Sequence, residues 1–178
     1  MLSVLGLEYN GILGEGLKPL VDKAERLHNL ERIYLNNNDI TRANTKHLSD
    51  FIVKAPSLKS VQLSNNKLSD EGAALIGDAI RGSSSILQLQ LVQNGISSDG
   101  AKSIAASLRD AMMSTLLDLD LSSNLITMES IQELMTAMKG SNLEVLNIRN
   151  NVFTGEEMTA LEGQLTLVAA LPRKKFLY

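Results

Sequence analysis

Two aspartates, Asp118 and Asp120, are the side chains whose type and spacing most directly suggest chemistry. If they lie on a strand, alternate residues share one face and the two carboxylates are about 7 Å apart. Such a pair can bind a cation or act as an acid and a base, but more often it consists of two solvated surface side chains. Arg149 is a third candidate, which either contacts a partner or forms a weak ion pair with Asp120.

The remaining reactive residue types form no recognisable catalytic or metal-binding motif. His28 and His47 stand apart in the sequence, the chain has no cysteine, and the His-Glu-x-x-His spacing of zinc sites is absent. The glycines of Gly11-x-x-Gly14-x-Gly16 lack the Lys-Ser/Thr pair of a phosphate-binding loop. We therefore expect a non-enzymatic protein without a metal or a cofactor.

A short repeat organises the chain and decides where these side chains lie. Six copies align on an asparagine, with periods of 28, 28, 28, 30 and 27 residues. The residues eight, five and three positions before each asparagine are aliphatic. The asparagines are Asn10, Asn38, Asn66, Asn94, Asn124 and Asn151. The aliphatic residues are Leu2, Leu5, Leu7, Leu30, Ile33, Leu35, Leu58, Val61, Leu63, Ile86, Leu89, Leu91, Leu116, Leu119, Leu121, Leu143, Leu146 and Ile148.

Each copy predicts a β-strand, a turn at the asparagine and an amphipathic helix. Alternation before the asparagine is typical of a strand with one buried face, and Ala73, Ile76 and Ile80 recur at helical spacing. A unit this small cannot bury its apolar face alone, so the copies must stack. We predict a single domain over residues 1–178, with repeats starting near 2, 30, 58, 86, 116 and 143 and a C-terminal cap or tail at 165–178.

The repeated asparagines are predicted to stabilise the turns. An amide side chain at this position satisfies backbone groups that no β-ladder reaches, and stacked copies would align these side chains in a ladder. Replacing Asn66 or Asn94 with alanine is therefore expected to be costly, because the orphaned backbone groups would remain buried.

The helices have start and end signals in some copies and irregularities in others. Ser69, followed by two acidic residues, is a predicted N-cap, and Thr154-Gly-Glu-Glu157 has the spacing of a capping box. The longest period adds residues near Met112, which we expect in the core of a lengthened helix. Residues 165–171 are expected to continue the last helix, and 176–178 to fold back over the final core.

Composition indicates the compartment and excludes some partner classes. The net charge is −3, so no overall positive field attracts nucleic acid or an anionic membrane surface. There is no cysteine for the disulfides of extracellular proteins, and no asparagine begins an Asn-x-Ser/Thr sequon. No apolar run approaches the ~20 residues of a membrane-spanning helix. We expect a cytoplasmic protein that binds neither nucleic acid nor membrane.

The consensus of the copies resembles a known repeat class. Residues 58–80 and 86–108 approach L-x-x-L-x-L-x-x-N-x-L followed by G-A-x-x-L-A-x-A-L, and they resemble the ribonuclease-inhibitor-like class of leucine-rich repeat. The resemblance implies an α/β horseshoe of about six strand–loop–helix repeats, with a parallel sheet on the concave side. Strands about 4.8 Å apart and helices about 8–10 Å apart make such a stack bend. At Asn44, Ser130 and Glu157 the chain lacks the glycine of this motif.

The outward positions of the predicted strands are the part of each repeat that is free of the core. They lie six, four and two residues before each asparagine and are mostly polar, with few of the aromatic and arginine side chains that dominate interfaces. We predict one patch at Arg32–Tyr34–Asn36 and a second at Asp118–Asp120–Arg149; Tyr34 is equally explained as an ordinary surface aromatic. The predicted partner-binding residues are Arg32, Tyr34, Asn36, Gln62, Gln90, Asp118, Asp120 and Arg149.

These observations leave three functional hypotheses. The first is a non-enzymatic protein–protein interaction scaffold that binds a protein partner through its concave sheet and adjoining loops. The second is a regulator of a small GTPase, which the resemblance to the class of the Ran GTPase-activating protein implies. The third is a recognition fragment of a larger NOD-like sensor or cytoskeletal protein. The first repeat starts at residue 2 without a polar cap, which also suggests end-to-end self-association.

Overall fold

Seven short strands form one parallel sheet in the structure, a computed structural model that describes residues 2–110, 114–161 and 174–178. The strands follow one another across the sheet in chain order, because each leaves the sheet through a return segment and re-enters beside its predecessor. They are β1 (Val4–Gly6), β2 (Arg32–Tyr34), β3 (Ser60–Gln62), β4 (Gln88–Gln90), β5 (Asp118–Asp120), β6 (Val145–Asn147) and β7 (Lys175–Leu177).

The register of the sheet follows the sequence repeat. Leu5 aligns with Ile33 and then Val61, and the row continues through Leu89 and Leu119. The 30-residue period does not shift this alignment. Side chains at one repeat position therefore form a straight row across the strands.

Helices carry the chain back from the end of one strand to the start of the next. They are α1 (Lys18–Lys23), α2 (Arg42–Lys54), α3 (Ser69–Gly82), α4 (Ser98–Asp110) and α5 (Ile131–Gly140). Consecutive helices from α2 to α5 contact each other. The predicted leucine-rich repeat solenoid, with its parallel sheet on the concave side and helices outside, is confirmed. Within the described ranges, no helix is long and apolar enough to cross a membrane.

The predicted aliphatic positions form the core from the second repeat onward. From Leu30 to Ile148, each of these side chains is at most 3% exposed. In the first repeat Leu2 is 53% exposed, and Leu5 and Leu7 are only partly buried. The difference arises because β1 pairs with β2 alone among the described strands.

Asn124 shows how the repeated asparagine joins neighbouring repeats. Its Oδ1 accepts the backbone N–H groups of Asn94 and Ile96 at 2.9 and 3.1 Å. Its Nδ2 donates to the carbonyls of Leu91 and Leu121, both at 2.9 Å. One amide thus satisfies buried backbone groups of two repeats at once. Bonds of the same kind occur at Asn38, Asn66 and Asn151.

Two of the asparagines depart from this pattern. Asn10 is exposed, and within the described residues its side chain bonds only to the Glu8 carbonyl, at 2.8 Å. The buried Oδ1 of Asn94 has no hydrogen-bond partner in the described part of the chain. The turn before α3 differs there, since Ser69 has a φ of 55° and donates its N–H to the Asn94 carbonyl at 3.1 Å.

The N-cap predicted at Ser69 is wrong, and a carboxylate from the same segment caps the next helix instead. The Ser69 hydroxyl donates to Glu71 Oε2 at 2.7 Å and makes no capping bond to the backbone. Oδ1 of Asp70 accepts the N–H groups of Ser97 and Gly100 at 2.7 and 3.1 Å. These are orphan donors at the start of α4, so one repeat caps the helix of its neighbour.

Capping boxes start α2 and the helical residues 155–161, which follow β6. At the predicted one, the Thr154 N–H donates to Glu157 Oε2 at 2.8 Å and the Glu157 N–H donates to Thr154 Oγ1 at 3.2 Å, which confirms the prediction. Thr41 and Asn44 form a similar box at the start of α2. Asn44 therefore has a capping function at a position where other repeats carry glycine.

Residues near the C-terminus add a strand that the sequence analysis described only as a cap or tail. β7 pairs in parallel with β6, and Phe176 packs partly buried against the core. Lys174 Nζ donates to the carbonyls of Ser141 and Leu143 at 2.8 and 2.7 Å, which anchors the strand. The predictions that lie outside the described residues concern Met112 and residues 165–171.

Candidate partner-binding surface

The outward side chains of the sheet form three rows across the concave face. Each row crosses the strands in steps of about 4.8 Å. The first row contains Val4, Arg32, Ser60, Gln88, Asp118 and Val145. The second contains Gly6, Tyr34, Gln62, Gln90, Asp120 and Asn147. By repeat position, the third contains Glu8, Asn36, Ser64, Val92, Ser122 and Arg149.

The first predicted patch divides into free side chains and internally bonded ones. Arg32 is exposed and Tyr34 is half-buried, and neither side chain has a hydrogen bond or ion pair within the described residues. Asn36 Nδ2 donates to Gln62 Oε1 at 3.0 Å, and Asn36 Oδ1 accepts the Ser64 N–H at 2.8 Å. Asn36 and Gln62 thus fix this end of the sheet, while Arg32 and Tyr34 remain available to a ligand.

The second predicted patch divides in the same way. Asp120 Oδ1 accepts the N–H and the hydroxyl of Ser122 at 2.9 and 2.6 Å, and its Oδ2 accepts Asn147 Nδ2 at 3.0 Å. Arg149 is exposed, and the ion pair considered between Arg149 and Asp120 does not form in the described structure. Asp120 therefore belongs to the scaffold's own hydrogen-bond network, whereas Arg149 is free.

Asp118 is a half-buried carboxylate without a partner among the described residues. Its neighbours in register, Gln88 and Val145, are uncharged. Burial raises the pKa of Asp118 above its ordinary value, and the negative charge of Asp120 adds a smaller effect in the same direction. The two carboxylates thus differ, because Asp120 is satisfied internally and Asp118 is not.

Arg32 and Asp118 line a single groove, although the sequence analysis placed them in separate patches. The groove has a volume of about 330 Å³ and runs along the amino-terminal ends of β2 to β5. Glu31 and Lys59 form an ion pair of 2.7 Å in it. We call this feature the amino-terminal groove. Its lining residues are Glu31, Arg32, Lys59, Ser60, Leu87, Gln88, Leu117 and Asp118.

A larger hollow of about 710 Å³ lies on the opposite side, between α2 and α3. Two of its charged side chains are already paired along their own helices, Lys46 with Asp50 at 3.2 Å and Asp78 with Arg81 at 2.6 Å. It contains none of the predicted partner-binding residues. The amino-terminal groove is therefore the better candidate for recognition.

Histidines and acidic residues do not assemble into a metal site in the part of the chain that the structure describes. No group of three potential ligands is present there. His47 Nε2 lies 3.2 Å from Glu15 Oε1, on the first return of the chain, and His28 is exposed at a separate place. The chemistry available on the described concave face is that of charged, amide and aromatic groups.

Some groove residues were missed because only alternate strand positions were considered. Glu31, Lys59, Leu87 and Leu117 all lie seven residues before the repeated asparagine. This position directly precedes each strand and varies between acidic, basic and aliphatic. That variation was visible in the sequence and marks a row that the core does not constrain.

Tyr9 is a further exposed residue that the sequence analysis did not select. It is 80% exposed and has a φ of 57°. The residue before the asparagine is left-handed in every repeat; Asn tolerates this conformation well, whereas it is uncommon for tyrosine. The other residues in this row are Asn37, Asn65, Gln93, Ser123 and Asn150.

Models of repeat families match three segments of the chain. A model described as Leucine Rich repeat matches residues 54–77 and 82–105, and another described as Leucine Rich Repeat matches residues 142–163. Each segment contains one strand, its asparagine turn and the start of the following helix. No curated protein sequence matches the chain.

Solved structures with a similar fold include a tropomodulin domain and an actin-binding site of leiomodin-1. The tropomodulin C-terminal domain of Caenorhabditis elegans is 18% identical over 78% of this chain and 83% of that chain, with a TM-score of 0.63. Actin-Binding Site 2 of leiomodin-1 is 17% identical over 84% of this chain and 87% of that chain, with a TM-score of 0.65. At these identities the likeness concerns the fold alone. Together with the matched repeats and the seven-stranded parallel sheet, it shows that the described residues fold as a leucine-rich repeat solenoid.

Proposed function

We propose that the chain is a non-enzymatic recognition module that binds a protein partner through its concave sheet and adjoining loops. The observation that carries this proposal is a set of predicted partner-binding side chains without internal bonds, beside others of that set that are held by hydrogen bonds. A scaffold held in place in this way loses little conformational entropy on binding. The free members in the described structure are Arg32, Tyr34, Gln90, Asp118 and Arg149.

The comparisons support a protein partner without identifying it. Leucine-rich repeats and the fold of an actin-binding site in leiomodin-1 are consistent with protein interaction. The same likeness favours the cytoskeletal alternative over the others considered from sequence, and it makes actin a defined partner to test. We further propose that the repeats are of the ribonuclease-inhibitor-like class, that residues 1–178 form one domain, and that the cysteine-free chain is cytoplasmic.

A capture experiment tests the proposal directly. The variant replaces four free concave side chains: Arg32→Ala, Tyr34→Ala, Gln90→Ala and Arg149→Ala. Because these side chains make no internal bonds within the described residues, the melting temperature should not change. We expect the wild-type chain, immobilised in cell lysate, to retain a partner that this variant loses.

A variant of the helical side controls for general loss of surface charge. It replaces the exposed residues Arg42, Lys54, Asp99 and Arg109 with alanine. Capture should survive in this control, and co-sedimentation with purified actin filaments should be run with all three proteins. If the concave variant keeps every partner that the wild-type chain captures, the concave face is not the binding surface.

A further inference from the structure

We propose that the amino-terminal groove receives a partner segment that places a lysine or arginine beside Asp118 and a carboxylate near Arg32. This inference rests on the proposed protein-binding function and specifies the chemistry of the segment that would be bound. The groove is the part of the concave face where unpaired charges of both signs occur in one enclosed feature.

The dimensions of the groove suit a short stretch of extended chain. Arg32, Ser60, Gln88 and Asp118 follow one another in register on β2 to β5. Three strand spacings separate the first from the last, which is about 14 Å. Four residues of extended chain span about 13 Å. A segment lying across the strands can therefore reach both charged ends.

The charges in the groove are arranged as a dipole. Glu31 and Lys59 neutralise each other in their ion pair. What remains is a positive charge at Arg32 on one end and a negative charge at Asp118 on the other, each without an ion-pair partner in the described structure. A partner segment with a cation at the Asp118 end and a carboxylate at the Arg32 end would form an ion pair at each end. The same segment lying in the reverse direction would place like charges together at both ends and would be repelled.

An organic cation fits Asp118 better than a metal ion does. Asp120 is occupied by Ser122 and Asn147, so Asp118 has no second free carboxylate beside it. The described residues also contain no group of three metal-ligating side chains. Leu117 directly precedes Asp118, and the Asp118 N–H donates to the Leu87 carbonyl at 3.1 Å, so both groove-lining leucines lie near the carboxylate. Apolar walls of this kind accommodate the methylene stem of lysine or arginine.

The free protein holds Asp118 in an unfavourable state that a bound cation would relieve. Burial and the nearby Asp120 both disfavour the ionised form of Asp118. A cation placed beside it would offset this cost by Coulombic attraction and a charge-assisted hydrogen bond. Binding of a cation at Asp118 is therefore expected to stabilise the ionised carboxylate.

The probe for this inference is the peptide acetyl-Glu-Ser-Ala-Ser-Arg-amide, together with the same peptide in reversed order. Binding is followed by NMR through the backbone amides of Ser60, Gln88 and Asp118 and the carboxylate carbon of Asp118. We expect saturable shifts with one of the two orders. Replacing the arginine with uncharged citrulline should weaken binding at least about tenfold, since the charge pair is lost.

Two protein variants complete the test. Asp118→Asn should weaken binding of the arginine peptide at least about tenfold and bring it to the level of the citrulline peptide. Asp99→Asn, at an exposed acid on α4, should leave it unchanged. The inference is overturned if neither peptide order saturates, if citrulline substitution has no effect, or if Asp118→Asn binds as well as the wild-type chain.

The lysate capture separates this inference from the broader proposal. If Asp118→Asn retains the partner that the four-residue concave variant loses, concave binding stands and the groove assignment fails. If the four-residue variant also retains every partner, both fail. If Asp118→Asn loses the partner and also fails to bind the arginine peptide, both are supported.

Discussion

Individual asparagines at one repeat position have very different energetic weight. Asn124 satisfies backbone groups of two repeats from a buried position, whereas Asn10 is exposed and bonds only to its own turn among the described residues. The sequence pattern alone gives both residues the same ladder position. The two residues differ because a preceding repeat packs against Asn124 but not against Asn10 in the described structure. A single repeat sequence does not contain this information.

Replacing Asn124 with alanine should destabilise the protein by at least about 2 kcal/mol, because buried backbone donors and acceptors lose their partners. The same substitution at Asn10 should cost no more than about 0.5 kcal/mol. Urea unfolding of both variants measures the difference. Equal losses at the two positions would show that the hydrogen bonds of Asn124 are not what stabilises the turn.

Asp118→Asn should stabilise the protein at neutral pH. The pKa of Asp118 is higher in the folded state than in the unfolded chain, so the folded state disfavours ionisation. This cost is fully present above the folded pKa and disappears as the pH falls through it. On its own and neighbouring strands Asp118 faces Asp120, Gln88 and Val145, so within the described structure no cation there reverses the sign.

Melting temperatures of the two proteins, measured from neutral pH down to about pH 3, test this expectation. The advantage of Asp118→Asn should shrink as the pH falls. A variant that is less stable than the wild-type chain at neutral pH would mean that Asp118 has a stabilising partner.

The sequence predicted which strand residues face outward, but not which of these side chains are free of internal hydrogen bonds. The repeat pattern correctly assigned the outward side of each strand, since alternation on a strand fixes the face. It could not reveal that Asn36 bonds to Gln62 and Asp120 to Asn147, because such bonds depend on side-chain reach between strands. Of the two predicted patches, Arg32 and Asp118 line one groove, Asn36 and Asp120 are bonded internally, and Tyr34 and Arg149 remain free in the described structure.

The N-terminus of a helix can be capped by a side chain of its own repeat or by one from a neighbouring repeat. Ser69 has the residue type of an N-cap, yet its helix starts without a side-chain cap, and Asp70 serves the following helix instead. Propensity could not predict this exchange, because it involves contact between repeats. The capping box at Thr154 was predictable because all its parts are local.

Gly100→Ala should destabilise the protein by about 1–3 kcal/mol. A Cβ at this position would lie 2.5 Å from Asp70 Oδ1 and 2.8 Å from Ile96 Cγ2, so the capping carboxylate would be displaced. Gly140→Ala, with nothing within 4 Å of the added Cβ, is the matched control and should be neutral or stabilising by up to about 1 kcal/mol. Thermal unfolding distinguishes these outcomes, and a neutral Gly100→Ala would argue against the cap.

Leu89→Ala should cost about 2–5 kcal/mol through cavity formation, whereas Gln90→Ala should cost no more than about 0.5 kcal/mol. The two residues are adjacent on β4, with Leu89 buried and Gln90 exposed. Equilibrium unfolding in urea measures both. Similar losses would contradict the assignment of inward and outward faces.

Stability across the whole molecule should increase from the first repeat inward. The Leu7 N–H bonds to the Tyr34 carbonyl and the Leu91 N–H to the Asp120 carbonyl, both at 2.8 Å. Only the second bond lies between repeats that have neighbours on both sides in the described structure. The Leu7 amide should therefore exchange with solvent at least about tenfold faster than that of Leu91. Native-state hydrogen exchange tests this, and equal rates would indicate unfolding as one unit.

The sequence was most informative about the architecture of the whole molecule, because the same residue pattern recurs in every repeat. Six strands, their order and their shared register could be read from the spacing of asparagines and aliphatic residues. The seventh strand could not be predicted. Residues 174–178 lack the repeated asparagine, and their pairing depends on Lys174 reaching the carbonyls of Ser141 and Leu143.

The longest repeat indicates where this solenoid accepts additional chain. Two more residues separate Asn94 from Asn124 than separate Asn66 from Asn94, yet β5 keeps its register and Asn124 keeps its bonds to the preceding repeat. The extra residues therefore lie between the Asn94 turn and β5, and they leave the strands undisturbed. A peptide or label added in this connection should likewise leave the spacing of the outward rows of the sheet unchanged.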